Sequence, residues 1–224
     1  MIVGKGLIAT GFECSKEDYS NYIIFASGVS NSKETSDKEY NREKDLIIKT
    51  ITENKDLKII YFSSILVENT KNKYFENKLK IEEIIKTNSS NYIIFRIPQI
   101  VGNNGNPKNL VNYIKNCILN ETEITINTRV ERSLLDIEDL VEIVNFCKNK
   151  VTCETLKISG IEKIKVFTLC EIISKFVNKD SKLIVDDNID YDNWSEENSK
   201  LIDDAIKNIK SIGYNYNVLK KYIK

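Results

Sequence analysis

The sequence predicts an α/β protein built on a doubly wound parallel sheet, abbreviated in its first half and followed by a small interleaved C-terminal lobe. Three observations carry that prediction. The runs Tyr22–Phe25 (YIIF), Lys58–Phe62 (KIIYF) and Tyr92–Phe95 (YIIF) are apolar on both faces, as strands covered on two sides must be. Amphipathic helical stretches alternate with them. A glycine turn, MIV-GKGLIA, joins the first apolar run to the first helix.

Taken in order, Met1–Val3 is a short strand ending at Gly4, and Gly6 to about Glu13 is a helix. Tyr22–Phe25 is a buried strand closed by Ala26-Ser27-Gly28, and Ser30–Ser36 is a polar loop. Ser36 is positioned to cap a helix to about Asn54, with Leu46, Ile47 and Ile51 at helical spacing. Lys58–Phe62 runs into Ser63-Ser64. Lys71–Thr87 is helical, with Leu79, Ile81, Ile84 and Ile85 as its apolar stripe, and Tyr92–Phe95 follows. Beyond it the pattern is more mixed. Pro107 opens a helix through Leu119; Glu123–Ile126 and Ser133–Ile137 are short strands. Asp139 caps a helix ending near Asn149. Thr155–Ile158 is a strand, Thr168–Val177 a helix and Lys182–Val185 a strand. The tail from Glu196 to Lys224 is helical, broken near Gly213. No Pro/Gly-rich linker divides the 224 residues, so one domain is expected.

Composition excludes several chemistries. Thirty-three Lys and Arg balance thirty-three Asp and Glu, without a basic block, so nucleic acid is not an expected partner. The absence of histidine removes His-based triads and His-ligated metals, and no metal site is expected. The five cysteines, Cys14, Cys117, Cys147, Cys153 and Cys170, form no C-x-x-C pair and are expected as buried or half-buried free thiols. No apolar run reaches the roughly 18 residues of a membrane span, and no signal-peptide pattern opens the chain. A cytoplasmic protein without a membrane partner is expected.

Gly4, Gly6 and Ala9 form G-x-G-x-x-A at a strand-to-helix junction. Gly4 permits a tight turn, Gly6 lets backbone approach a pyrophosphate, and Ala9 keeps the helix close to the sheet. A plain tight turn is the alternative. A full dinucleotide-binding half places a second strand after this helix, ending in an acid roughly 20 residues on that binds the adenosine ribose. Here the next strand is already Tyr22–Phe25, and Glu13 and Glu17 follow no strand. The chain is expected to skip the second and third strands, leaving the adenine half of a dinucleotide at an open sheet edge, at solvent or against a partner.

Ser64 ends a strand, and Tyr74 and Lys78 follow as Y-F-E-N-K. Positions i and i+4 share one helix face, so an ammonium can draw a phenol toward its phenolate while the serine holds a substrate oxygen. Three Y-x-x-x-K patterns occur: Tyr40/Lys44, Tyr74/Lys78 and Tyr216/Lys220. Only the second follows a strand ending in serine. A tyrosine on a solvated helix face is the alternative.

Together these motifs resemble the extended short-chain dehydrogenase/reductase group, which contains NAD-dependent sugar-nucleotide epimerases and reductases and has a Rossmann-type fold. The order runs G-x-G-x-x-A, F-A-S-G, Y-F-S-S, Y-x-x-x-K, R-I-P-Q-I-V-G and R-S-L-L-D-I-E-D-L along most of the chain. The resemblance implies a cofactor-binding core over about residues 1–102. It implies a mixed substrate lobe with returning core elements over about 103–224.

The resemblance also implies roles. Gly4, Gly6, Leu7, Ile8, Ala26, Ser27, Gly28, Ser63, Tyr74, Lys78 and Pro98 would hold NAD or NADP. Ser64, Tyr74 and Lys78 would be catalytic, with Lys78 also gripping the nicotinamide ribose. Arg96, Gln99 and Arg132 would meet a nucleoside-diphosphate sugar, with a role in polysaccharide biosynthesis. Arg132 is otherwise an exposed surface charge. Asn41 stands where the group has an asparagine ahead of the helix packed beneath the active site. The interval from Ser64 to Tyr74 is short for the group. Ile65-Leu66 replaces the Asp-Glu pair of its dehydratases, which argues for epimerisation or carbonyl reduction. Pairing into a homodimer through Ser36–Asn54 and Lys71–Thr87 is implied too. A catalytically inactive NAD(P)- or nucleotide-sugar-binding module is the other expectation, motivated by the missing strands.

Overall fold

The computed structural model describes residues 1–68, 72–103, 105–188, 197–209 and 212–223. The principal sheet is parallel throughout. It contains β1 (Ile2–Val3), β2 (Tyr22–Phe25), β3 (Lys58–Ser64), β4 (Tyr92–Ile97) and, returning from the second half, β8 (Glu154–Lys157), in the spatial order β1-β2-β3-β4-β8. The crossovers carry helices α1 (Leu7–Glu13), α2 (Asp37–Glu53) and α3 (Lys73–Asn88).

The strands bury both faces because their side chains alternate with period two. Ile23, Phe25, Ile59, Tyr61, Tyr92 and Ile94 pack against Ile47 and Ile51 of α2 and Ile81 and Ile85 of α3. Ile24, Ile60, Phe62, Ile93 and Phe95 belong to the opposite core, with Phe12 of α1 and Leu140 and Val144 of α5 (Ile137–Cys147). Every residue of a YIIF run thus has a core to enter. Strand β1 lies at the sheet edge and pairs with β2 alone among the described residues. Among the described residues no strand flanks its other side, as the short interval after α1 predicts.

The second half interleaves with this core. Strands β5 (Gln99–Val101), β7 (Glu131–Asp136) and β9 (Lys163–Lys165) form a mixed sheet, and β6 (Glu123–Ile126) pairs in parallel with β10 (Lys182–Val185). Helices α4 (Leu110–Leu119), α6 (Val166–Val177), α7 (Lys200–Ile206) and α8 (Tyr214–Tyr222) complete it. Gly213, at φ +65°, caps α8 at the predicted break in the tail. Glu196 and Lys224, the predicted ends of that tail, lie outside the described residues, as does Lys71.

Several local expectations are corrected. Helix α4 starts at Leu110, not Pro107, because the amide of Asn109 bonds back to the Asn106 carbonyl at 2.9 Å and holds Pro107 in a turn. The cap of α5 is Asp136, which accepts from the Glu138 amide at 2.9 Å; Asp139 lies three residues further along, inside the first turn, and instead accepts from the Tyr214 hydroxyl. Asn72 caps α3 by accepting from the Phe75 amide at 3.0 Å. The buried stripe of α3 is Phe75, Lys78, Ile81, Glu82 and Ile85, with Leu79 and Ile84 only half-buried. Cys14 and Cys153 are exposed, whereas Cys117, Cys147 and Cys170 are buried, and burial pushes the Cys147 and Cys170 thiols up to about 11.

Helix α1 approaches α5 closely at Gly11, where a Cβ would lie 2.5 Å from Cγ1 of Ile137. Branching at Cβ limits how Ile137 can give way. Gly11→Ala is therefore expected to destabilise the protein by about 1–3 kcal/mol through overpacking, read as a lowered midpoint in urea unfolding. An unchanged midpoint would show that the two helices have room to part.

Candidate functional site

A cleft of about 1190 Å³ lies over the carboxyl ends of the first four strands, where ligands bind in open α/β sheets. Its wall includes Gly6, Leu7 and Ile8 after β1, Ala26, Ser27 and Gly28 after β2, Ser63 and Ser64 at the end of β3, and Pro98 and Gln99 after β4. Tyr74 and Lys78 enter from α3, and Arg132 enters from β7. The short Ser64–Tyr74 interval still brings both residues to one cleft.

The glycine turn has the geometry its residues suggest. Gly4 has φ +139°, and a Cβ there would lie 2.5 Å from the Ala26 carbonyl oxygen, so only glycine lets the turn close against the end of β2. Gly4 shapes the cleft without lining it. Gly6 is the N-cap of α1, and a Cβ there would meet nothing within 4 Å. The first amides of α1 have no intrahelical acceptor and lie at the cleft wall.

The serines differ. Ser63 is 3 % exposed, and its hydroxyl has no hydrogen-bond partner although the residue lines the cleft. A buried unsatisfied hydroxyl costs roughly 1–3 kcal/mol, so a polar ligand atom is a natural partner. Ser64 Oγ accepts from the Leu66 amide at 3.2 Å, which leaves the hydroxyl proton to be directed elsewhere.

Beneath the cleft lies a buried network absent from the sequence reading. Lys78 Nζ donates to Glu43 Oε1 and to the Tyr61 hydroxyl oxygen, each at 3.1 Å. Tyr61 donates to the same Glu43 oxygen at 2.8 Å. The Val29 amide donates to Glu43 Oε2 at 2.9 Å, and Asn77 Nδ2 does so at 3.4 Å. Lys78 and Glu43 are 4 % and 0 % exposed. Two of the three ammonium protons are thus engaged, and the third is available. Burial works against the charge on Lys78, but Glu43, together with Tyr74 and Glu82, outweighs it and holds the ammonium above the ordinary lysine range. The Tyr74 ring centroid is 5.7 Å from Lys78 Nζ. Desolvation raises the Tyr74 phenol above its ordinary range; the Lys78 ammonium pulls it down and Glu43 pushes it back up.

Two expected placements differ. Asn41 lies within α2 rather than ahead of it and faces solvent, while Tyr40, Glu43 and Ile47 share the buried face, so that Glu43 is the residue of α2 beneath the site. That helical spacing was the available signal for Glu43. Arg96 does not line the cleft. The alternation that turns Tyr92 and Ile94 toward α3 turns Arg96 there too, and its guanidinium grips buried Glu82 with Nε at 3.0 Å and an NH2 contact at 2.8 Å. Glu68 completes the cluster. Arg132 does line the cleft, with one guanidinium nitrogen donating to the Glu131 carbonyl at 2.7 Å.

Sequence reading also missed the cleft's charge. Lys5, Lys33, Arg42, Lys78, Lys108 and Arg132 line it, and no Asp or Glu does among the described residues, although the chain as a whole is neutral. Among the described residues no helix is long and apolar enough to cross a membrane, and no His, Cys, Asp or Glu cluster could hold a metal ion.

No protein-family model and no curated protein matches the sequence. The fold, in contrast, matches many solved structures. A UDP-glucose 4-epimerase from Thermus thermophilus in complex with NAD superposes with a TM-score of 0.68 at 9% identity, covering 89% of this chain and 78% of that one. A UDP-N-acetylglucosamine 4-epimerase from Methanobrevibacter ruminantium, in complex with UDP-N-acetylmuramic acid, gives 0.68 at 14% identity, covering 91% and 75%. A dTDP-glucose 4,6-dehydratase from Bacillus anthracis in complex with NAD gives 0.64 at 15% identity, covering 90% and 73%. At these identities the likeness is one of fold.

The commitment of Arg96 to Glu82 has a measurable consequence. Arg96→Met leaves a buried carboxylate without its bidentate partner and is expected to cost about 3 kcal/mol in denaturant unfolding. Glu82→Gln in the same background should recover part of that loss. A substitution that weakened ligand binding while leaving stability intact would put Arg96 back in the cleft.

Proposed function

We propose that this protein binds a nicotinamide dinucleotide, NAD or NADP, and acts on a nucleoside-diphosphate sugar by epimerisation or carbonyl reduction. The observation that carries the reading is the convergence of the glycine turn, two strand-end serines and Tyr74 on one cleft whose charged lining is wholly cationic among the described residues. A dinucleotide and a sugar nucleotide are both polyanions, and such a lining attracts both.

The residues fit the cofactor on three counts. Gly6 leaves open space at the first turn of α1, Ser63 presents a buried hydroxyl without a partner, and Lys78 has one proton to spare. Gly6, Leu7 and Ile8 would face the pyrophosphate. Ala26, Ser27, Gly28, Ser63 and Pro98 would line the dinucleotide, and Lys78 would meet its ribose. The nicotinamide supplies a hydride donor or acceptor when bound. Ser64 would hold the substrate oxygen, Tyr74 would carry its proton, and Gln99 and Arg132 would contact the sugar nucleotide. The likeness of fold to epimerases and a dehydratase supports the same assignment.

One observation favours a second reading, a binding module without turnover. Strand β1 is a sheet edge, so the strand whose terminal acid would hold the adenosine ribose is missing. Calorimetry and turnover separate the two. Heat is expected on titration with NADH or NADPH, and Tyr74→Phe should keep that binding while losing about 10²- to 10⁴-fold in turnover. Absence of heat with every oxidised and reduced dinucleotide would end both dinucleotide readings. Binding with unchanged turnover in Tyr74→Phe would remove Tyr74 from the chemistry.

A further inference from the structure

Lys78 brings one positive charge to the cleft floor, and Glu43 sets one negative charge 3.1 Å from it. Glu43 is walled in by its neighbours, while Lys78 still lines the cleft. Asn77 and Lys78 itself come from α3, Tyr61 rises from β3, and the Val29 amide comes from the loop after β2. Gly28 closes the roof: a Cβ there would lie 2.6 Å from Lys78 Nζ and 2.7 Å from Glu43 Oε1. No side chain larger than glycine's fits over the pair without displacing one of its charges.

Such an enclosure changes what Tyr74 feels. An ammonium alone near a phenol favours the phenolate. An ammonium touching a carboxylate presents a dipole instead, and its field falls off faster than that of a single charge. The groups facing Tyr74 or its neighbours are Lys78 on its own helix, Glu43 and Tyr40 on α2, and Tyr61 on β3. Lys73, on α3, sits 5.7 Å from the Tyr40 ring and pairs with Asp37 at 2.9 Å. Of these, Lys78 and Glu43 act on Tyr74 in opposite senses.

We propose that Glu43 is a positioning residue that cancels the charge of Lys78 toward Tyr74, so that the phenol keeps its proton and serves the cleft as a proton donor. The inference rests on Tyr74 as the proton-carrying group of the proposed function. A phenol that retains its proton suits delivery to an oxygen that is gaining negative charge, as in carbonyl reduction. It suits removal of an alcohol proton poorly. Once the proton is given up, cleft water returns one to the phenolate.

A three-variant cycle tests this. Phenolate absorbance is titrated from neutral to alkaline pH for each protein against its Tyr74→Phe counterpart, which isolates this tyrosine from the others. Glu43→Gln leaves the ammonium uncancelled and should lower the Tyr74 midpoint by about one pH unit or more, roughly tenfold more phenolate at a given pH. Lys78→Met should raise it. The double variant Glu43→Leu/Lys78→Met removes both charges and should return the midpoint to within about half a unit of wild type. Replacing a buried pair by apolar residues is often neutral for stability, so the double variant decides the matter if a single one fails to fold. An unmoved midpoint in Glu43→Gln, or a double variant displaced by more than about one unit, would overturn the proposal. Calorimetry of the same wild-type protein with NADH and NADPH is independent of the cycle: no binding would sink the proposed function and leave the answer about Glu43 standing.

Discussion

The buried contact between Glu43 and Lys78 is the constraint around which the cleft is arranged. One carboxylate on α2 receives bonds from α3, β3 and the loop after β2, and so ties two crossovers and the strand between them together beneath the cleft. Such a pair adds little net stability, because desolvating two charges offsets most of their attraction. Its effect lies elsewhere. Either charge alone would be costly to bury, so each fixes the other, and the backbone at Gly28 has one place to go. The position of the cleft wall thus follows from a charge balance beneath it.

Much of this architecture is legible in the sequence. Strands β2, β3 and β4 can be read because each is a continuous apolar run, and a run apolar on both faces demands cover on both. The position of β1 at an edge can be read from the few residues between α1 and Tyr22, too few for the two flanking strands. Strands β5 and β9 have three residues each, too few to show a period. The site was legible where backbone geometry selects the residue, at Gly4, Gly6 and the serines ending β3. It was less legible where charged side chains enter the core. Glu82 and Glu43 occupy the buried stripes of their helices, and a charge at such a position reads as a solvated face until its partner in a distant element is known. Tyr61 illustrates the same limit: within KIIYF it reads as one more apolar residue, and only the fold brings Glu43 to its hydroxyl.

Arg96 and Lys78 make an instructive contrast. Both are cations near the end of an element that borders the cleft, and both are held by a buried glutamate from a helix. Strand parity turns Arg96 away from the cleft into the layer of α3, where a bidentate grip uses the guanidinium's planar fork. Lys78, on the helix itself, reaches the cleft floor and retains one unengaged proton. The difference in availability comes from secondary-structure periodicity, two for the strand and 3.6 for the helix, rather than from residue type.

The truncated sheet gives the remaining charges their meaning. In a complete dinucleotide-binding half, an acid at the end of the second strand faces the adenosine ribose. Here no strand flanks β1 on that side among the described residues, and the charged residues lining the cleft are all basic among those described. With equal numbers of acids and bases in the whole chain, this segregation is a property of the fold and not of composition. Lys5 stands in the glycine turn at the open edge, while Arg42 is anchored to the Ser27 carbonyl at 3.1 Å on the neighbouring crossover. A phosphate-bearing ligand placed over the turn would therefore meet a lining whose charged groups, among the described residues, are all basic. Glu43, sealed beneath Gly28, sets a buried carboxylate against Lys78 at the cleft floor. The cleft thus carries two kinds of cation: those along its rim, and Lys78 at its floor, which a buried carboxylate holds from below.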